Sequence, residues 1–145
     1  MKKILFFARL PLSDKEVMDG EIQRVLILDD MAKNEKFDRT YVHLKFNSLS
    51  NNIYNPKILI GAKAYSLSIF RIKTWYLLKD LIISHNISYF HSLHNYKFAF
   101  LFNHWLKNTF SVIDFHGVVP EENFFLGNTI RGYIYELIER LNIKF

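Results

Sequence analysis

The chain contains no cysteine, which excludes a disulfide framework and any thiolate-based chemistry. That usage suits a reducing compartment, and a cytoplasmic location is the expectation. Long apolar runs are also missing. Residues 81–96 come nearest to a membrane span, but they include three Ser, three His and two Asn. The start, "MKKILFFARLPL", holds only a short apolar run before Arg9, which makes a poor signal peptide and a good first strand. Internal repeats and low-complexity tracts are absent as well. Acidic residues are scarce in the middle of the chain: residues 41–111 hold eight Lys and Arg against Asp80 alone, a net +7 within a total of +5. Such a stretch favours anionic partners.

What is present is enough for one domain. The 145 residues are half apolar and 17% aromatic, a globular composition with room for a single core. "KKILFFA" (2–8) is a continuous apolar run, as in a strand buried on both faces. "DGEIQRVLILDDMAKNEK" (19–36) reads as a helix with Asp19 as N-cap and Ile22, Val25, Leu26 and Met31 as its stripe. "RTYVHL" (39–44) is a strand, 46–56 is a loop rich in Asn and Ser, and "KILI" (57–60) is a short strand closed by Gly61. A helix is expected from about Tyr65 to His85, with Leu67, Phe70, Leu77, Leu78 and Leu81 inward. "ISYFH" (87–91) is a strand, 95–108 a helix, 110–115 a strand, and Glu121 to about Asn142 a helix weakened near Gly127.

This alternation implies an α/β, three-layer domain spanning 1–145, with a mainly parallel sheet of about five strands and right-handed crossovers. Ligands in such sheets bind beyond the carboxyl ends of the strands, where strand order reverses. The rule selects the loops 9–20, 91–95 and 116–122. They supply the candidate substrate-binding residues Asp19, Gly20, His91, His94, Asn95, Gly117 and Glu121. His116 is the candidate catalytic residue. In an extended strand Asp114 and His116 point the same way, so the carboxylate can fix the imidazole tautomer. Gly117 then lets the backbone approach a ligand.

Other constellations carry less. His91 and His94 form H-x-x-H, but no carboxylate lies within ten residues to complete a zinc site, so no metal is expected. The basic middle lacks a nucleic-acid-binding signature, so no nucleic acid is expected either. Asp29 and Asp30 fall inside a helix and read as solvated surface. Residues 57–79 carry Lys57, Lys63, Arg71, Lys73 and Lys79 without an acid. A helix of that kind suits an anionic membrane surface, which would place the protein peripherally at the inner face.

The stretches "KILFFA", "DGEIQRVLILDDMA", "YFHSLHN" and "VIDFHGVVPEE" together resemble the N-terminal half of GT-B glycosyltransferases of the retaining family-four type. The resemblance implies a Rossmann-like fold, with Gly20 near the donor's diphosphate and the acceptor, and His116 beside the transferred sugar. Asp19 stands where the family often has its first glycine. The resemblance further implies a nucleotide-sugar donor held by a donor-binding C-terminal domain or partner subunit, and a glycan or lipid-linked acceptor of cell-envelope polysaccharide synthesis. The expectation is an acceptor-side domain, inactive alone and prone to form a homo-oligomer. The alternatives are a non-catalytic Rossmann-like module for a nucleotide or a protein, and a peripheral membrane adaptor.

Overall fold

The computed structural model describes residues 2–9, 19–46, 48–54, 59–96, 99–114 and 119–143. Among them run β1 (Lys3–Phe7), α1 (Gly20–Asn34), β2 (Asp38–Lys45), β3 (Asn52–Tyr54), β4 (Lys63–Ser68) and α2 (Ile72–Ser84). Then follow β5 (Ile87–His91), α3 (Ser92–Tyr96), α4 (Ala99–Leu106), β6 (Phe110–Asp114), α5 (Val119–Phe125) and α6 (Thr129–Ile143). The strands form one sheet in the order β3-β4-β2-β1-β5-β6. All neighbours are parallel except β3, which runs antiparallel to β4. The result is an α/β fold with a six-stranded, mostly parallel sheet, compatible with a Rossmann-like domain.

The alternation within β1 divides the core. Leu5 and Phe7 face one side, where Leu78, Leu81 and Ile82 of α2 and Phe102 and Leu106 of α4 cover them. Ile4, Phe6 and Ala8 face the other side, beneath Val25 and Ala32 of α1. This is the period-two logic of a strand buried on both faces. Aromatic rings do much of the filling. Phe7 stacks on Phe90 at 4.5 Å and on Phe102 at 5.5 Å, while Phe6 stacks on Tyr41 at 4.7 Å. Contacts of this kind contribute roughly 0.5–1.5 kcal/mol beyond area burial.

Helix ends follow local chemistry. Asp19 is the N-cap of α1, its side chain accepting from the Glu21 amide at 2.9 Å. The helix closes with a Schellman pair: Lys36 N–H reaches Lys33 O and Phe37 N–H reaches Ala32 O, with Lys36 at φ 58°. The same pair of bonds ends α5, with Gly127 at φ 76° and Asn128 bonding back to Asn123. The expected helix from Glu121 to Asn142 is therefore two helices, broken at Gly127 because only the left-handed backbone closes the first one. Gly132 lets them pack: a Cβ there would stand 2.6 Å from the Phe124 ring.

Three expectations change. Residues 59–60 form a turn rather than the end of a strand, and 57–58 lie outside the described residues. The strand is "KAYSLS" (63–68), so the helix expected from Tyr65 begins only at Ile72. Leu67 is buried, but on a strand, and Phe70 is exposed. The cations between 57 and 79 consequently do not share one helix: Lys63 opens β4, while Lys73 and Lys79 lie on α2. The expected loop 46–56 contains β3, the extra strand. On α1, Met31 is 60% exposed, and the inward position next to it belongs to Asp29, which is buried and not solvated as expected. No helix among the described residues is long and apolar enough to cross a membrane.

Candidate functional site

Strand order runs outward from β1 in both directions, through β2 to β4 on one side and through β5 to β6 on the other. The reversal point lies between β1 and β5. The chain leaves adjacent parallel strands there in opposite directions, which opens a crevice beyond their carboxyl ends. Ala8 and Arg9 follow β1, His91 ends β5, and Asp114 ends β6 in register with His91. After residues 10–18, outside the described set, the chain re-enters as Asp19 and Gly20 at the start of α1. Three segments far apart in sequence thus meet at one sheet edge.

On the β1 side, Arg9 donates to Asp19 Oδ2 at 3.1 Å, and both side chains are partly exposed. Asp19 therefore serves three groups: the helix amide, the positive helix end and the arginine. Gly20 is exposed, and nothing among the described residues lies within 4 Å of the position its Cβ would take.

On the β5 side, the alternation of Tyr89 and His91 puts both on the face shared with Asp114. Tyr89 donates its hydroxyl to Asp114 Oδ2, and His91 Nδ1 stands 3.8 Å from the same oxygen. Burial, then the bond to Asp114, pushes the Tyr89 hydroxyl well above its ordinary range, so it stays a protonated donor. Asp114 is thereby engaged with β5. The expected partnership with His116 falls outside the described residues, as do His116 and Gly117 themselves.

Ser92 is the most unusual residue of this edge. Its φ is 70°, in the left-handed region that disfavours a side chain. It is 6% exposed, and its Oγ is buried with no hydrogen-bond partner among the described residues. Of the two described non-glycine residues at positive φ, Lys36 is explained by its helix cap and Ser92 is not. A left-handed residue with an unsatisfied hydroxyl costs on the order of 1–3 kcal/mol for each feature.

The remaining candidates divide. Asn95 on α3 donates its amide to the carbonyl of His91, so it secures the turn after β5. His94 lies on the same short helix, and its side chain is not among those described. Glu121 is exposed on α5. The structure thus brings together Asp19, Gly20, His91 and Asn95 near the reversal point, and adds Arg9, Tyr89, Ser92 and Asp114. Period-two spacing from His91 was a signal for Tyr89. Nothing in the sequence marked Ser92, because a serine carries no hint of positive φ.

Among the described residues beside β1, β5 and β6, the charged side chains include Asp19, Glu21 and Asp114 and, paired with Asp19, Arg9; Lys45 ends β2 further along the same edge. This part of the edge offers donors and acceptors to hydroxyl groups. Among the described residues there is no cluster of three or more His, Asp or Glu that could hold a metal ion. Comparison of the chain with protein-family models, with curated proteins and with solved structures finds no match.

Proposed function

We propose that this chain is the acceptor-side domain of a glycosyltransferase, receiving a hydroxyl-rich glycan acceptor at the carboxyl edge between β1 and β5. The observation that carries the reading is the meeting of Asp19–Gly20, His91–Ser92 and Tyr89–Asp114 at the reversal point, where the described side chains include the carboxylates of Asp19, Glu21 and Asp114 beside the paired Arg9. Hydroxyl, phenol and carboxylate groups in partial burial suit the alternating donors and acceptors of a sugar. The resemblance of "DGEIQRV" and "VIDFHGVVPEE" to family-four enzymes supports the same class.

Transfer with retention develops positive charge on the migrating sugar and negative charge on the departing diphosphate. A carboxylate-bearing wall stabilises the first, and the second requires cations from an opposite wall. On this reading a donor-binding domain or partner subunit supplies that wall, and the present chain alone transfers no sugar. His116 would contact the migrating sugar. In the assembled enzyme, His116→Ala is expected to lower kcat by about 10²–10³ with a smaller change in KM.

Saturation-transfer NMR on the isolated chain tests the binding claim. Neutral oligosaccharides should bind with dissociation constants on the order of 1 mM, and nucleoside diphosphates no more tightly. Micromolar nucleotide binding by the chain alone would overturn the reading and favour a nucleotide-binding module.

A further inference from the structure

The corner between β4 and α2 holds large apolar side chains in solvent. On α2, Thr74, Leu78, Leu81 and Ile82 face the sheet and are buried. A turn of about 100° per residue puts Ile72, Tyr76, Lys79 and Ile83 within about 60° of one another on the opposite side. Ile72, Tyr76 and Ile83 are each more than half exposed, and Lys79 is exposed between them. Phe70 continues this stripe at the helix start. It too is more than half exposed, and its ring meets Phe46, just after β2, edge to face. Asn51 ties the loop before β3 to the first turn of α2, donating to Thr74 Oγ1 at 3.0 Å. Leu49 and Ile53, on either side of Asn51, are as exposed as Ile72. Exposed apolar surface gathered in this way marks an interaction site.

Charge names the occupant. Residues 39–79 contain no Asp or Glu, and Asp80 is the one acid of α2. The cations between 57 and 79 do not share a helix, yet Arg71, Lys73 and Lys79 are all exposed along this corner. We propose that the corner docks on an anionic lipid surface, with α2 lying in the plane of the interface. Phe70, Ile72, Tyr76 and Ile83 enter the boundary between headgroups and acyl chains, and Arg71, Lys73 and Lys79 reach the lipid phosphates. Lys79 decides against a protein partner. It sits in the middle of the apolar stripe, and the cores of protein interfaces are depleted of lysine. Beside lipid its stem lies along apolar surface while its ammonium stays at the headgroups. Ile72 and Ile83 decide against nucleic acid, since an aliphatic side chain offers phosphates no charge and bases no ring to stack on. The start of α2 lies past the carboxyl end of β4, the same end of the sheet as the candidate site. The inference does not depend on which ligand that site binds.

Co-sedimentation of the full chain with vesicles tests the proposal. At low salt the chain should pellet with vesicles of equal parts phosphatidylglycerol and phosphatidylcholine, and stay in solution with phosphatidylcholine alone. Salt at about 1 M, where the screening length falls to about 3 Å, should release it. Arg71→Gln combined with Lys73→Gln should weaken vesicle partitioning about ten-fold. Ile72→Gln combined with Tyr76→Gln should weaken it about ten-fold as well. Ile130→Gln combined with Leu137→Gln, also exposed but on α6, should leave it unchanged. All six positions are exposed, so the fold survives each exchange. A chain that pellets with neither vesicle, or equally with both, would overturn the proposal. So would binding that survives the Ile72 and Tyr76 exchange, because charge alone would then suffice, or that falls equally with the α6 exchange. Self-association lost on the Ile72 and Tyr76 exchange, with no pelleting, would assign the corner to a second copy instead.

Discussion

The amino and carboxyl ends of the sheet treat buried polar groups in opposite ways. At the amino end every group of a buried cluster finds a partner. Asp29 of α1, 6% exposed, receives Arg39 and, at 2.6 Å, the Tyr41 hydroxyl, while Arg39 also donates to Ile60 O at 2.6 Å. On the other face, His85 Nδ1–H donates to Leu81 O at 2.5 Å, and Nε2 accepts from Thr40 at 3.0 Å. At the carboxyl end Ser92 is left-handed and its Oγ has no partner among the described residues, and Gly20 is exposed. Satisfied networks specify a fold. Strain and open polar space mark the place where a fold gives up stability, and such places cluster at binding sites.

Substitutions can break this contrast at its strong end first. Asp29→Ala leaves Arg39 buried without its carboxylate and removes the acceptor of Tyr41. Loss of one partner of a buried ion pair costs about 3–5 kcal/mol, so the melting temperature should fall sharply. Urea unfolding at neutral pH measures it.

The His85 ring gives a smaller, pH-dependent effect. Burial holds its pKa below the usual 6.5, with Lys3 and Lys63 acting in the same direction against Leu81 O and Asp38. The folded state thus favours the neutral ring, and the unfolded chain takes up the proton first. The ring's contribution is present above pH 6.5 and is lost as pH falls from there towards the folded-state pKa. Stability measured from pH 7.5 down to pH 5.5 should drop, and His85→Gln should reduce that drop relative to the parent.

At the carboxyl end the sign reverses. Ser92→Gly relieves the left-handed strain and removes a buried unpaired hydroxyl, so stability should rise by about 1 kcal/mol while oligosaccharide binding weakens. Lys36→Gly sharpens the comparison. It relieves the same backbone strain in a helix cap, for a gain of at most about 1 kcal/mol, and leaves binding unchanged. Equal binding losses in the two variants, or none in Ser92→Gly, would remove the link between strain and site.

Much of this arrangement was legible in the sequence, for identifiable reasons. β1, β2, β5 and β6 announce themselves as apolar or β-branched runs, and Asp19 as an N-cap. β4 did not, because "KAYSLS" has no β-branched residue and merges into the apolar "IF" and the helix beyond it. Its strand identity comes from its neighbours, with Ala64 and Leu67 buried on opposite faces beside β2. Asp29 looked like solvent-facing charge, since its partners Arg39 and Tyr41 lie on another element. The candidate loops were chosen by alternation and the reversal-point rule; residues 10–18 and 116–118 of them lie outside the described residues. The Tyr89–Asp114 bond depended on register, which pairs His91 with Asp114.

The central claim is that ligand binds at the strained carboxyl end and leaves the satisfied amino end untouched. A ¹H–¹⁵N correlation spectrum of the labelled chain, followed during titration with a neutral oligosaccharide, tests it most directly. The account predicts progressive shifts at the amides of Arg9, Gly20, Glu21, Ser92 and Asp114, with Asp29, Arg39, Tyr41 and His85 unmoved. Shifts confined to the amino end, or a spectrum unchanged at saturating sugar, would contradict it.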